Sequence, residues 1–138
     1  MKFSYFPGCT MKGTAKDYEA SMRETLGYLG IELEELDDWN CCGASSGHMT
    51  NKSVDNGLGA RNIGLIEKSG NDAVVTPCPA CYLRLRHADH EMRNNPEKFG
   101  RDKYDPKFTI NYLTNLIASD EMLAKVKAGL KHPLTGLK

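Results

Sequence analysis

The sequence predicts an α/β fold of about four mostly parallel strands with flanking helices, and two observations carry that prediction. Short runs rich in β-branched or aromatic residues alternate with stretches of helical periodicity along the 138 residues. Such alternation is resolved by right-handed crossovers, because a parallel neighbour is reached only by crossing one face of the sheet. Finally, the cysteines fall just beyond the ends of the expected strands, so the fold would carry Cys-bearing loops at the C-terminal edge of the sheet.

The first strand is Phe3 to Phe6, stopped by the turn pair Pro7-Gly8 immediately before Cys9. Thr14 with Asp17 three residues later reads as a helix cap. Tyr18, Met22, Leu26 and Leu29 then recur at helical spacing up to Gly30. Ile31, Leu33 and Leu36, set among acidic residues, form a second strand that leads into Asp37-Asp38-Trp39-Asn40 and the pair Cys41-Cys42. Lys52 to Ser69 reads as a helix on Val54, Leu58, Leu65 and Ile66. Gly57, Gly59 and Gly64 inside it each cost about 1 kcal/mol against alanine or mark close backbone packing. Asp72 to Thr76 is a buried third strand broken by Pro77, with Cys78 next. Pro79 suits a first helical position, and Cys81, Leu85, Ala88 and Met92 form one stripe behind it. Asn94 to Lys107, with Pro96, Gly100 and Pro106, reads as a surface loop before a strand near Phe108 to Ile110 and a final helix to about Ala128.

The composition is that of one globular domain, with 40% hydrophobic and 26% charged residues. Eighteen Lys plus Arg balance eighteen Asp plus Glu, so no global field attracts nucleic acid or an anionic membrane. No apolar stretch is long enough for a transmembrane segment or a signal peptide, and the expected location is cytoplasmic.

Five cysteines, Cys9, Cys41, Cys42, Cys78 and Cys81, cannot all pair within one chain, and a reducing compartment would keep them as thiols. In an open parallel sheet, ligands bind in the crevice beyond the carboxyl ends of the strands, so the three cysteine groups are expected to share one rim. Zinc takes four thiolates and so does a cubane iron-sulfur cluster, which leaves one thiol over. The fifth is idle, exchanges as a redox thiol, or serves a larger or more open cluster, and spacing alone does not choose. Several thiolates in one place require compensating positive charge. The start of the helix bearing Cys81 supplies some, and Arg84, Arg86, His87 and Lys12 are further candidates.

The order Cys9, 31 residues, Cys41-Cys42-Gly43, then Cys78, two residues, Cys81 resembles the cysteine-rich CCG domain of the B-type subunits of heterodisulfide reductase. The likeness runs from Tyr5-Phe6-Pro7-Gly8-Cys9 through Cys41-Cys42-Gly43-Ala44 to Thr76-Pro77-Cys78-Pro79-Ala80-Cys81-Tyr82. It implies a noncubane [4Fe-4S] cluster with Cys9, Cys41, Cys42, Cys78 and Cys81 as ligands. It further implies an oxidoreductase component that takes electrons from a ferredoxin-type iron-sulfur subunit, itself fed by a flavin subunit, and cleaves a disulfide of the coenzyme M–coenzyme B type. The B-type subunits have two CCG halves. Residues 1–138 correspond to one of them, the N-terminal half, and His132 to Lys138 resembles the link into the second; catalysis would need both.

Related CCG domains occur in glycolate, lactate and succinate oxidoreductase subunits, while the leading alternative of another class is a structural zinc-binding interaction domain. A thioredoxin-like role for Cys78 and Cys81 leaves Cys9, Cys41 and Cys42 without purpose. His48 is a proton donor beside a departing thiolate or an exposed loop residue, His87 and His90 read as solvated, and Trp39 shields a cluster or simply packs. The charged stretch Glu97 to Lys107 contacts an electron-donating subunit or is a solvated loop.

Overall fold

Four parallel strands in the order β2-β1-β3-β4 form the centre of the molecule. They are β1 (Lys2–Tyr5), β2 (Glu32–Glu35), β3 (Ala73–Thr76) and β4 (Thr109–Tyr112). Ser4 pairs with both Glu34 and Val74, and Val74 with Ile110, so β1 and β3 are the inner strands. The computed structural model describes residues 1–136; Leu137 and Lys138, the last two positions of the expected link, lie outside the described residues.

Side chains of a strand alternate between faces, and the two valines of β3 show what each face meets. Val74 packs with Phe6, Ile63, Ile66, Leu85 and Met92, under the helices α4 (Lys52–Ser69) and α5 (Pro79–Asn94). Val75 packs with Tyr5, Met22, Leu26, Leu113 and Met122, under α2 (Lys16–Tyr28), α6 (Leu113–Ile117) and α7 (Asp120–Gly129). Helices thus cover both faces of the sheet, and the expected α/β class with an all-parallel sheet is what forms. Each fully buried Leu, Ile or Val contributes about 1.5–3 kcal/mol of transfer free energy.

Two short helices appear where the sequence reads as turn or loop, α1 (Gly8–Lys12) and α3 (Gly47–Thr50). Cys9 therefore sits in a helical turn rather than in a free loop. The expected Thr14 cap does not form: α2 starts at Lys16 with Ala15 as its N-cap and no side-chain capping bond. The final helix is two helices, because Ser119 turns the chain and accepts a hydrogen bond from Met122 N at 3.4 Å. The boundaries of α4 and of the start of α5 fall at Lys52 and Pro79, as expected. Asn51 Oδ1 caps α4 by accepting from Val54 N at 2.9 Å, and Pro79 fills the first turn of α5.

Of the three glycines in α4, Gly59 marks close packing. A Cβ there would lie 2.6 Å from Ala88 Cβ on α5, so the crossing of the two helices requires its absence. The stretch Glu97 to Lys107 is more than a solvated loop. It includes a 3-10 turn, Pro96–Phe99, and Tyr104 is buried with its hydroxyl donating to Asp89 Oδ1 on α5 at 2.8 Å. Arg101 donates to both carboxylate oxygens of Glu67 on α4, at 3.0 and 2.6 Å.

Candidate metal centre

Beyond the carboxyl ends of β1, β2 and β3 the three cysteine groups meet. Cys9 Sγ lies 3.9 Å from Cys41 Sγ, and Cys42 Sγ lies 3.4 Å from Cys81 Sγ, although 32 and 39 positions separate the partners along the chain. Cys41 and Cys42 are neighbours in sequence, and Cys78 stands three residues before Cys81 at the start of α5. The two close contacts thus link the three cysteine groups into one run, from exposed Cys9 to half-buried Cys78, with Cys42 and Cys81 buried in its middle. All five are free thiols. Among the described residues no three or more His, Cys, Asp or Glu side chains surround the position of a single metal ion.

Local backbone chemistry places each thiol. Gly8 has φ +73°, and a Cβ on it would approach Cys81 Sγ to 2.6 Å, so glycine alone lets the end of β1 reach the first turn of α5. Cys78 is the N-cap residue of α5 and Cys81 lies in its first turn, near the positive end of the helix dipole.

The Cys41-Cys42 pair hangs on residues that no sequence motif singles out. Asn62 of α4 is fully buried; its Oδ1 accepts from Asn40 N at 3.0 Å and its Nδ2 donates to Asn40 O at 2.9 Å. Asn40 Nδ2 in turn donates to Cys41 O at 2.8 Å and Leu58 O at 3.2 Å. Arg61 completes the clamp by donating to Asn40 Oδ1 at 2.9 Å and to Asp38 O at 2.6 Å. Asp38 itself has φ 55°, the left-handed region, and Arg61 also donates to its carboxylate at 2.6 Å. A polar residue such as Asn62 beside Ile63 in the apolar stripe of α4 is the available signal.

The electrostatics favour a thiolate at the centre of the run. The Cys81 thiol donates to Cys42 and, against the opposing effect of burial, holds the Cys42 pKa down at about 6, with help from the Ala44 N–H, Cys41 and the Arg84 charge. Cys81 is pushed up correspondingly, by that donation, by burial and by the charges of Cys42 and Cys78. At Cys41 the Gly43 N–H favours the thiolate, but burial and the neighbouring Cys9 and Cys42 outweigh it, so its pKa rises.

Of the cations expected to compensate the thiols, Arg84 acts on them. It lies three residues after Cys81 and is paired with Asp55 of α4, both groups being largely buried. Arg86 and His87 are exposed. Lys12 is engaged elsewhere, with Glu35 at 2.7 Å and Glu19 at 3.3 Å. His48 is exposed, with Nδ1 3.5 Å from Gly43 O, and His90 is exposed beside Asn94. Trp39 packs edge-on against Phe6, with ring centroids 5.6 Å apart, and its indole N–H donates to Glu35 Oε1 at 3.2 Å. No helix among the described residues is long and apolar enough to cross a membrane.

The chain is similar to several known proteins. It is 31% identical over 148 residues to a protein of Archaeoglobus profundus that is itself like the B-type subunits of heterodisulfide reductase, covering 99% of this chain and 49% of that protein. It is 30% identical over 144 residues to the membrane anchor subunit of an 8-methylmenaquinol:fumarate reductase of Wolinella succinogenes, covering 99% and 50%. It is 28% identical over 96 residues to a probable glycolate oxidase iron-sulfur subunit of Bacillus subtilis, covering 70% and 22%. The chain therefore spans about half the length of the first two relatives and under a quarter of the third. A sequence-family model of the CCG cysteine-rich domain matches residues 3–86, which contain all five cysteines and the whole rim they form, and the chain belongs to that family.

Proposed function

We propose that Cys9, Cys41, Cys42, Cys78 and Cys81 together hold an iron-sulfur cluster, of the noncubane [4Fe-4S] type, in an electron-transfer subunit of the heterodisulfide reductase B kind. The observation that carries this reading is the run of five thiols drawn from three strand ends, closed at its middle by the Cys42–Cys81 pair at 3.4 Å. The donor set fits such a group: thiolates are its usual ligands, and five exceed the four of a zinc cage or a cubane. The surroundings fit as well, since Arg84, the start of α5 and the N–H groups of Gly43 and Ala44 offset negative charge at the sulfurs.

When bound, the cluster supplies one-electron chemistry at the rim of the sheet. The chain's own residues keep that rim in shape. Asn62, Asn40 and Arg61 fix the Cys41-Cys42 turn, Gly8 admits Cys81, and Trp39 and Phe6 pack the apolar floor on the α4 and α5 side. The substrate class is a disulfide of the coenzyme M–coenzyme B type, which takes two electrons and two protons to give two thiols. Electrons arrive from a ferredoxin-type iron-sulfur subunit, itself fed by a flavin subunit. A second CCG half completes the site, in keeping with a chain that spans about half of its similar relatives, and the assembly works in the cytoplasm.

Anaerobic purification with iron, sulfide and zinc analysis tests this reading. A brown chain with near-equal iron and sulfide and little zinc is expected. Colourless protein with stoichiometric zinc would instead make the chain a structural zinc domain. A loaded chain whose spectrum responds to a quinone or a hydroxy acid oxidation system, but not to any disulfide, would move it to the side of its fumarate or glycolate relatives.

A further inference from the structure

Two buried hydrogen-bond donors on the α5 side of the thiol run have no acceptor: the Thr76 hydroxyl and the Arg84 Nε–H. Thr76 is 0% exposed. A hydroxyl left unpaired in such a place destabilises the fold, and valine would fill the same volume without that cost.

The position of Thr76 indicates what it serves. It is the last residue of β3 and shares the face of Val74, the face whose core includes Cys42 and Cys81. It stands two residues before Cys78. Its partner across the sheet is Tyr112, whose ring lies 5.9 Å from that of Tyr82 at the start of α5. On its other side, Phe6 N bonds to Val75 O, and the Phe6 ring lies beside the Gly8–Cys81 contact. Arg84 stands three residues after Cys81 on α5 and its charge acts on Cys42, with its guanidinium paired to Asp55.

Resting on the cluster reading above, we propose that the Thr76 hydroxyl and the Arg84 Nε–H donate hydrogen bonds to sulfur of the bound iron-sulfur centre and so raise its reduction potential. Hydrogen bonds to sulfur draw electron density from the centre and favour its reduced form. Neither residue is a ligand; each would act on the centre through a single hydrogen bond.

The test uses the chain reconstituted anaerobically with iron and sulfide, as wild type, Thr76→Val, Thr76→Ser and Arg84→Lys. The midpoint potential is read by redox titration with electron paramagnetic resonance, and the iron-free forms are melted in parallel. Thr76→Val should lower the potential and alter the paramagnetic spectrum, Thr76→Ser should restore both, and Arg84→Lys, which keeps the charge and loses the Nε–H, should lower the potential. Iron-free Thr76→Val should melt at or above wild type, because it loses an unpaired hydroxyl. Iron uptake with a potential and spectrum unchanged in Thr76→Val would overturn the hydrogen-bonding role alone, as would a clear loss of stability in its iron-free form. Failure of the wild-type chain to take up iron and sulfide would overturn the cluster reading and this inference with it.

Discussion

Asn62 grips both backbone polar groups of Asn40, accepting from its N–H at 3.0 Å and donating to its carbonyl at 2.9 Å. One buried amide on α4 thus stands in for a strand partner and holds the chain directly before Cys41. Asn62→Leu leaves two backbone groups of Asn40 without partners, at a cost of about 1–3 kcal/mol in stability. Thermal melting should show that loss, and iron uptake should fall with it, because the turn carrying the cysteine pair is released.

Gly8→Ala makes a sharper test of the rim. The new Cβ would meet Cys81 Sγ at 2.6 Å, in a backbone conformation with φ +73° that disfavours any L side chain. The left-handed conformation alone costs about 1–2 kcal/mol. Lower stability with loss of bound iron is expected, whereas Gly57→Ala, where nothing lies within 4 Å of an added Cβ, should leave iron binding intact and gain about 1 kcal/mol of helix propensity.

Tyr104→Phe removes the hydroxyl that donates to Asp89 Oδ1 at 2.8 Å, while Arg93 still holds Oδ2 at 3.0 Å. A buried carboxylate oxygen loses its partner, so stability should fall by about 1–3 kcal/mol. Limited proteolysis should then cut first within residues 95 to 107, the segment that Tyr104 ties to α5.

Glu35 supplies a pH dependence away from the thiols. Burial opposes its charge, but Lys12, Trp39 and Arg23 outweigh it and hold its pKa below the ordinary value of 4.5. A carboxyl lowered on folding contributes stability that is fully present above its unfolded pKa and lost as pH falls through the folded one. The stability difference between wild type and Glu35→Gln should therefore be largest at neutral pH and shrink below the ordinary carboxylate range. For these partly exposed groups it amounts to at most about 1 kcal/mol.

The parallel sheet and the convergence of the cysteines are legible because strand ends are written in the sequence as Pro7-Gly8, Asp37-Asp38 and Pro77, each just before a cysteine. Helix α5 is legible from Pro79 and the stripe Cys81, Leu85, Ala88, Met92. The start of α2 is not, because Thr14 matches a local capping pattern, whereas the backbone after α1 is set by the Gly13 and Ala15 N–H groups bonding to Thr10 O. Lys12 misleads for a related reason. Its partners Glu19 and Glu35 lie on α2 and β2, and only the folded chain brings them together. The clamp of Asn62, Asn40 and Arg61 leaves no motif to find, since it is a tertiary arrangement of common residues.

The reach of Cys9 to the far end of the rim decides whether one centre joins all the thiols. Alkylation of the folded chain, read by mass spectrometry, should find Cys9, Cys41 and Cys78 protected after anaerobic loading with iron and sulfide and reactive once a chelator removes the iron. Equal reactivity of Cys9 or of Cys78 in the two states would contradict a centre shared by all five.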